Sequence, residues 1–120
     1  MITQGTKIKI IDNSGGKIGL CIKLLNHRQR ANIGDKIIVV IKRARPNKRI
    51  KQHQIAKAII VRTATNQRRT DGSYLSWGTS ACILTNKQNQ PLGKRILGPV
   101  SKDLRLQGHL KLISIASQAI

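Results

Sequence analysis

Short segments in which apolar and polar residues alternate, separated by turn residues, run through most of this chain. Lys7-Ile8-Lys9-Ile10 alternates with its isoleucines facing inward, and Asn13-Ser14-Gly15-Gly16 then supplies the residues of a tight turn. No long window repeats apolar residues at the helical period. The pattern therefore predicts an all-β fold, because alternation with period two buries one face of a strand.

The same alternation predicts four more strands along the chain. In the second strand, Leu20, Ile22 and Leu24 lie on one face. Asp71-Gly72 fits a hairpin tip that leads through residues 74–77 into the last strand. The third, fourth and fifth strands are predicted at 36–42, Ile55–Arg62 and Ala81–Thr85.

About five strands cannot form a large sandwich, whereas a small closed barrel leaves no edge strands and still encloses a side-chain core. The end of the chain changes character, since Ser101 fits a helix N-cap, Asp103 a first helical turn and Gly108 a helix stop. Residues 110–116 fit either a second short helix or a last strand. We therefore expect one domain over residues 1–120, with the five-stranded barrel over about 1–97 and a short C-terminal helical segment over about 98–120.

The charge balance is the strongest indication of a partner. Lys and Arg number 23 against four Asp and no Glu, so the formal net charge is +19, far above the roughly 2–8 charges that solubility needs. Such a domain repels itself, and nucleic acid, an anionic membrane or a polysaccharide would relieve that repulsion. The sequence shows no amphipathic basic helix for a membrane surface, and its longest apolar run, 37–41, is far shorter than the roughly 18–20 residues of a membrane span. Nucleic acid is the favoured partner, and no membrane is expected.

Tyr74 and Trp77 are the only aromatic residues of the sequence, too few for the stacking platforms on which proteins bind single strands. Folded RNA fits better, since Arg and Lys on loops can read its phosphates and sugars. The basic residues fall mostly in loops and at strand ends. The predicted RNA-binding residues are Lys23, Arg28, Arg30, Lys42, Arg43, Arg45, Lys48, Arg49, Lys51, Arg68 and Arg69.

Sequence patterns for catalysis and metal binding are missing. Each Asp has a structural place at a turn, a strand start or a helix start, so no carboxylate pair indicates a nuclease or phosphatase. The sequence contains no nucleophile elbow or phosphate-binding glycine loop, and its Cys and His residues are too scattered for zinc. We expect no catalytic residue, metal, cofactor or small-molecule substrate, and we expect Cys21 and Cys82 to be buried free thiols.

A set of motifs occurs in order along the whole chain. Asp12-Asn13-Ser14-Gly15 forms the first, and Cys21-Ile22-Lys23 the second. The later ones are Ala58-Ile59-Ile60-Val61, Asp71-Gly72, Trp77, Ser80, Ile83-Leu84, Gly93-Lys94-Arg95-Ile96-Leu97-Gly98-Pro99-Val100 and Asp103-Leu104-Arg105. Together they resemble the ribosomal large-subunit protein fourteen family, although Lys94 and Leu97 stand where that family commonly has Thr and Phe.

The resemblance implies a non-enzymatic, five-stranded barrel that binds large-subunit rRNA and contributes to a bridge to small-subunit rRNA at the subunit interface. It also implies large-subunit proteins of the three and nineteen types as neighbours, and a ribosome-silencing factor as a further partner. The residues predicted for the subunit interface or for protein contacts are Lys94, Arg95, Lys102 and Arg105. The alternatives are a small basic RNA-binding protein outside the ribosome and an RNA-processing enzyme.

The composition bears on the compartment. Ile, Lys and Asn, whose codons are AT-rich, number 19, 13 and 7. The first residues lack the apolar stretch of a secretory signal and the Arg- and Ser-rich pattern of a transit peptide. Because a protein encoded in an organelle needs no presequence, we expect a mitochondrial ribosome, with a plastid or bacterial ribosome as the alternatives.

Overall fold

The computed structural model describes residues 2–25, 29–46, 48, 50–69, 71–106 and 108–120. Its elements in chain order are β1 (Lys7–Ile10), β2 (Gly16–Leu24), β3 (Lys36–Ala44), β4 (Ile55–Arg62), β5 (Gln67–Arg68), β6 (Tyr74–Leu75), β7 (Ala81–Thr85), β8 (Ile96–Val100), α1 (Asp103–Leu106), α2 (Leu110–Ile115) and β9 (Ala116–Ala119). Strands β1, β2, β3, β4 and β7 form a closed barrel. The predicted five-stranded barrel followed by short helices is confirmed.

The barrel closes where its first and last strands meet. Neighbouring strands β1 to β4 are antiparallel, as are β4 and β7, whereas β1 runs parallel to β7. Alternate residues fill the interior, so that Ile37, Val39 and Ile41 of β3 are fully buried while the residues between them are not. Gly19 of β2 allows this close packing, because a Cβ there would lie 3.3 Å from the Cβ of Val39.

Strand β2 differs from the sequence prediction in the residues that it buries. Gly19 and Cys21 are buried, whereas Leu20 is half-buried and Ile22 is 39% exposed. A register shift against β3 follows Cys21, and a bulge of this kind changes the side to which the following residues point. Leu24 therefore packs against the core, and the three predicted residues do not share one face.

The predicted turn at Asp71-Gly72 is a hairpin tip, but it joins β5 to β6 instead of leading directly to β7. The backbone N–H of Arg69 donates to the carbonyl of Ser73 at 2.8 Å. Asp71 Oδ1 accepts hydrogen bonds from the N–H and hydroxyl of Ser73, which lowers the pKa of the Asp71 carboxyl. The local turn chemistry was readable from the sequence, while the strand that it serves was not.

The C-terminal segment forms a second layer on the barrel. β8, which the alternation did not predict, pairs in parallel with β9 as a separate two-stranded sheet. The Ser101 hydroxyl accepts a hydrogen bond from the N–H of Asp103 at 3.3 Å, and Gly108 has φ +85°, as predicted for a helix start and stop. Residues 110–116, predicted as either helix or strand, contain both α2 and the first residue of β9.

The C-terminal segment and the barrel share one apolar core. Leu104 and Leu112 are almost fully buried and belong to the same apolar cluster as the barrel residues. Ile59 of β4 and Ile83 of β7 lie opposite each other, are fully buried and alternate with the interior residues of their strands. The C-terminal segment therefore covers the outer side of the barrel at β4 and β7.

Candidate nucleic-acid interface

An open groove of about 560 Å³ lies on the outside of the barrel beside β1. Its walls come from the start of β2, the end of β4 and the Leu97-Gly98 segment of β8. The cationic side chains that line it are Lys9, Lys17, Arg45 and Arg62. Among the residues described, Asp12 is the one acidic side chain in the lining, so the groove carries an excess of positive charge.

The Asp12 carboxylate is used inside the protein. It is 7% exposed, and its Oδ1 accepts a 2.6 Å hydrogen bond from the hydroxyl of Ser14. Its Oδ2 accepts from the backbone N–H of Leu84 at 3.1 Å, which ties the turn after β1 to β7. Burial raises the pKa of this carboxyl, and the hydrogen bonds offset part of that effect. Asp12 is therefore a structural residue of the turn and offers the groove little negative surface.

Arg62 forms the wall at the other side of the groove. Its Nη2 donates to the backbone carbonyl of Leu97, and its buried Nε has no hydrogen-bond partner among the described residues. Burial lowers the pKa of this guanidinium. Gly98 has φ +79°, and a Cβ there would approach Arg62 Nη2 to 3.0 Å, so glycine at this position lets β8 lie against the guanidinium.

The loop between β3 and β4 packs on the turn between β1 and β2. The N–H of Arg45 donates to the carbonyl of Gly15 at 2.7 Å. Gly15 has φ +113°, and a Cβ there would collide with Lys48 Cβ at 2.4 Å, so only glycine permits this contact. Ile50 anchors the same loop with an exposed fraction of 3%.

This packing brings most of the predicted loop cations to one region. Their backbone lies at the end of β3 and in the loop that follows, directly beside the groove. Those described with exposed side chains are Lys42, Arg43, Arg45, Lys48 and Lys51. Arg49, predicted with them, lies outside the described residues.

The remaining predicted RNA-binding residues are spread over other parts of the surface. Lys23 and Arg30 are exposed, and Arg28 lies outside the described residues. Arg68 of β5 is exposed, whereas Arg69 donates a hydrogen bond from Nη2 to the carbonyl of Ile120. Arg69 therefore anchors the C-terminal residue, a role that its place in a basic turn did not indicate.

The turn that carries Lys94 and Arg95 is held by the motif at the start of the chain. Asn13 Oδ1 accepts hydrogen bonds from the N–H of Lys94 at 2.8 Å and from that of Arg95 at 3.4 Å. A Cβ at Gly93 would lie 2.6 Å from the same oxygen, so the turn can approach this closely because residue 93 is glycine. Two motifs separated by 80 residues of chain thus form one local structure, and both basic side chains are exposed.

Lys102 and Arg105 lie at the other end of the C-terminal segment. Both side chains are exposed, and with Asp103, Ile113 and Ala119 they line a shallow pocket. The four residues predicted for the subunit interface therefore form two pairs, one beside the turn of Asn13 and one at α1.

The two cysteines are buried and free, as predicted. Burial raises the pKa of both thiols, so that each stays protonated near neutral pH. Within the described ranges, no three His, Cys, Asp or Glu side chains come close enough together to hold a metal ion. No helix in the described part of the chain is long and apolar enough to cross a membrane.

Three cations of the groove were missed by the sequence reasoning. Lys9 and Lys17 were read only as the outward members of alternating strands, and Arg62 as the end of a strand. Alternation does show that Lys9 points away from the core, but it does not show which outward residues share a groove. That information comes from the packing of β8 beside β1.

The whole chain, residues 1–120, matches the model of one protein family, described as ribosomal protein L14p/L23e. Family membership supports a role as a large-subunit ribosomal protein, and the family is generally non-enzymatic. It also implies that the chain works within a ribosome, in association with rRNA and ribosomal proteins. The barrel fold and the match over its full length together show that this chain belongs to the ribosomal protein L14p/L23e family.

Proposed function

We propose that this chain binds large-subunit rRNA through the groove beside β1 and the cationic loop that follows β3. The rRNA backbone supplies the negative charge that a domain with a net charge of +19 lacks. The barrel acts as a rigid support, and the side chains contact phosphate and sugar without reading bases.

One observation carries this proposal. The bond between Arg45 N–H and the Gly15 carbonyl joins the loop to the turn, so that loop cations and groove cations lie on one continuous surface. A helical segment of RNA presents phosphates continuously along its backbone, and a continuous cationic surface can neutralise several of them at once.

The test is a salt titration of binding to large-subunit rRNA fragments. If about 6–10 phosphates are neutralised, log K should fall with log salt with a slope of about −0.7 to −0.9 per phosphate. The variant Lys9→Gln, Lys17→Gln, Arg45→Gln should weaken binding and reduce the magnitude of this slope by about 2 to 3, because it removes three phosphate contacts.

The matched control is Lys102→Gln, Arg105→Gln, Lys111→Gln, which removes the same charge from exposed positions on the C-terminal segment. This control should change the slope much less in the same titration. Equal effects of the two variants would show that the net charge, and not the groove, determines binding, and the proposed site would then be wrong.

We propose further that the C-terminal segment faces the other subunit and neighbouring proteins, with Lys94, Arg95, Lys102 and Arg105 as contacts. Its exposed cations stand on a segment that is anchored by apolar residues, which suits docking onto small-subunit rRNA. Proteins of the three and nineteen types and a ribosome-silencing factor are the proposed protein partners.

The double variant Lys94→Glu, Arg95→Glu tests this second surface. Both side chains are exposed, so we expect an unchanged melting temperature and a loss of subunit joining or of a protein neighbour. A much lower melting temperature with normal joining would make the turn structural instead.

The compartment is also a proposal. The abundance of Ile, Lys and Asn supports a mitochondrial ribosome. Fractionation of source cells followed by sedimentation should find the chain with the large subunit of mitochondrial ribosomes, and its recovery with plastid or bacterial cytoplasmic ribosomes would correct the assignment.

A further inference from the structure

The outer face of the barrel at β2, β3 and β4 carries apolar side chains in register. Leu20 of β2 lies opposite Val40 of β3, which lies opposite Ile55 of β4. Side chains paired in this way have Cβ atoms about 4.5–5.5 Å apart and touch one another. The outer apolar patch, as we name it, consists of Ile18, Leu20, Ile22, Ile38, Val40 and Ile55.

The patch is open, in contrast to the face beside it. Ile55 is 64% exposed and Ile22 is 39% exposed. The outward residues Ile59 and Ile83 are fully buried under the C-terminal segment. In the described part of the chain, the main packing partners of β3 are the flanking strands β2 and β4, so its outward residues have no second layer over them.

Basic residues continue the same cross-strand rows at the borders of the patch. Lys7 lies opposite Leu20, and Lys9 opposite Ile18. In the next row, Ile38 lies between Lys23 of β2 and Lys57 of β4. The patch therefore has an apolar centre and a cationic rim, without an acidic residue in these rows.

We propose that the outer apolar patch binds a segment of another large-subunit protein that presents apolar side chains flanked by Asp or Glu. The apolar centre needs an apolar partner, because a phosphate placed over it would lose water without gaining a hydrogen bond. The lysine rim needs carboxylates, which excludes a second copy of this chain, since it has 23 basic and four acidic residues.

The size of the patch limits the occupant. Three strands spaced by about 4.8 Å span about 10 Å, and residues 18 to 22 of β2 span about 13 Å. This matches one face of an α-helix, whose diameter with side chains is about 10–12 Å, over two to three turns. A contact this small is weak in isolation and gains strength when both partners are held on the same rRNA.

The test uses the full chain in assembled large subunits. A photoreactive p-benzoylphenylalanine replaces Ile55 in one variant and Ile22 in a second, and the irradiated subunits are digested and analysed by mass spectrometry. Tyr74, which is 68% exposed on the β5–β6 hairpin, carries the same group in the control. Since both patch positions are exposed and outside the core, each variant should enter the subunit.

We expect both patch variants to crosslink to the same peptide of another large-subunit protein, with apolar residues flanked by Asp or Glu, and the control to crosslink elsewhere. Crosslinks to rRNA, to another copy of this chain, to a peptide without acidic residues or to nothing would overturn the proposal. Because the groove substitutions above leave this patch intact, a failure here does not bear on the rRNA titration.

Binding in solution separates the apolar contribution from general charge attraction. The probe is a designed helical peptide with Leu on one face and Glu at its borders. Ile55→Ser should weaken its binding to the full chain by about tenfold, while Tyr74→Ser should leave the affinity unchanged. Equal affinities for all three proteins would show that the peptide is attracted by charge alone and would contradict the proposal.

Discussion

The barrel and the C-terminal segment from residue 86 onward are both apolar inside, yet they are held in different ways. Backbone ladders join each barrel strand to two neighbours. The C-terminal segment is attached to the barrel by apolar packing and by single hydrogen bonds. Side chains that make those bonds are Asn13 to the Lys94–Arg95 turn, Arg62 to Leu97, Arg69 to Ile120, and His109 to Gly34.

This difference shows how a very basic protein places its cations. Arg62 and Arg69 each use a guanidinium N–H on a carbonyl of their own chain, whereas Lys42 and Lys48 stay exposed. The anchoring arginines decide where β8 and the last residue lie, and those positions complete the groove. Loss of an anchor should therefore move the segment without unfolding the barrel, which the following predictions examine.

The largest effect is expected in thiol reactivity. Cys82 is fully buried in the barrel, so a thiol reagent reaches it only when the barrel opens. For a domain with a stability of 5 kcal/mol or more, we expect a reaction at least about a thousandfold slower than in urea. A Val100→Cys substitution in β8, also at a buried position, should react faster than Cys82, because the C-terminal segment opens locally.

Site-resolved mass spectrometry of the modified protein measures both rates in one sample. Equal rates for residues 82 and 100 would mean that the barrel and the segment open as one unit. Rapid modification of Cys82 in the native protein would contradict its burial.

The next effect concerns core packing. Ile37→Ala in the barrel and Leu104→Ala in the C-terminal segment each remove a fully buried side chain, and each should lower the free energy of unfolding by about 2–5 kcal/mol. The comparison lies in hydrogen exchange. Ile37→Ala should speed exchange throughout the protein, whereas Leu104→Ala should speed it first in β8, β9 and the helices; the same exchange pattern in both variants would remove the distinction between the two regions.

A smaller effect is expected for the anchor at Asn13. Asn13→Ala removes the acceptor of two backbone N–H groups, which should lower the free energy of unfolding by about 1 kcal/mol. The amides of Lys94 and Arg95 should exchange faster, while those of β3 should not change. As a control, Asn13→Asp retains an acceptor oxygen and should leave both amides protected; unchanged exchange in Asn13→Ala would show that the bonds do not hold this turn.

The smallest effects concern the pH dependence of stability, and their signs differ between two aspartates. The pKa of Asp12 is raised by burial, so its contribution to stability is fully present below the unfolded value of about 3.9 and is lost as the pH rises through the folded pKa. The pKa of Asp71 is lowered by its bonds to Ser73, so its contribution is present above about 3.9 and is lost as the pH falls through the folded pKa.

Urea unfolding of the wild type, Asp12→Asn and Asp71→Asn between pH 2 and 7 measures these contributions. The stability of the wild type relative to Asp12→Asn should fall with increasing pH, and its stability relative to Asp71→Asn should rise. Slopes of the same sign would show that the environment of one carboxyl is not the one described.

The sequence alone determined the barrel strands, since β4 and β7 begin and end at the predicted residues. Alternation is a local signal, and the core enforces it, because a slip by one residue would expose Ile37, Val39 and Ile41 together. The exception is β2, where Leu20 and Ile22 imitate an inward face. Glycine at residue 19 and the bulge after Cys21 turn that face outward, and a bulge depends on the partner strand.

The turn chemistry was likewise determined by the sequence, because Asp71, Ser73 and Ser101 make hydrogen bonds within two or three residues of themselves. Tertiary structure alone decided which distant cations form a surface. Lys9, Arg45 and Arg62 meet at one groove, and Asn13 reaches Lys94 across 81 residues of sequence. The physical reason is that local periodicity fixes the side of the strand on which a residue lies, whereas its neighbours on that side depend on strand register, closure of the barrel and the anchoring of a segment far along the chain.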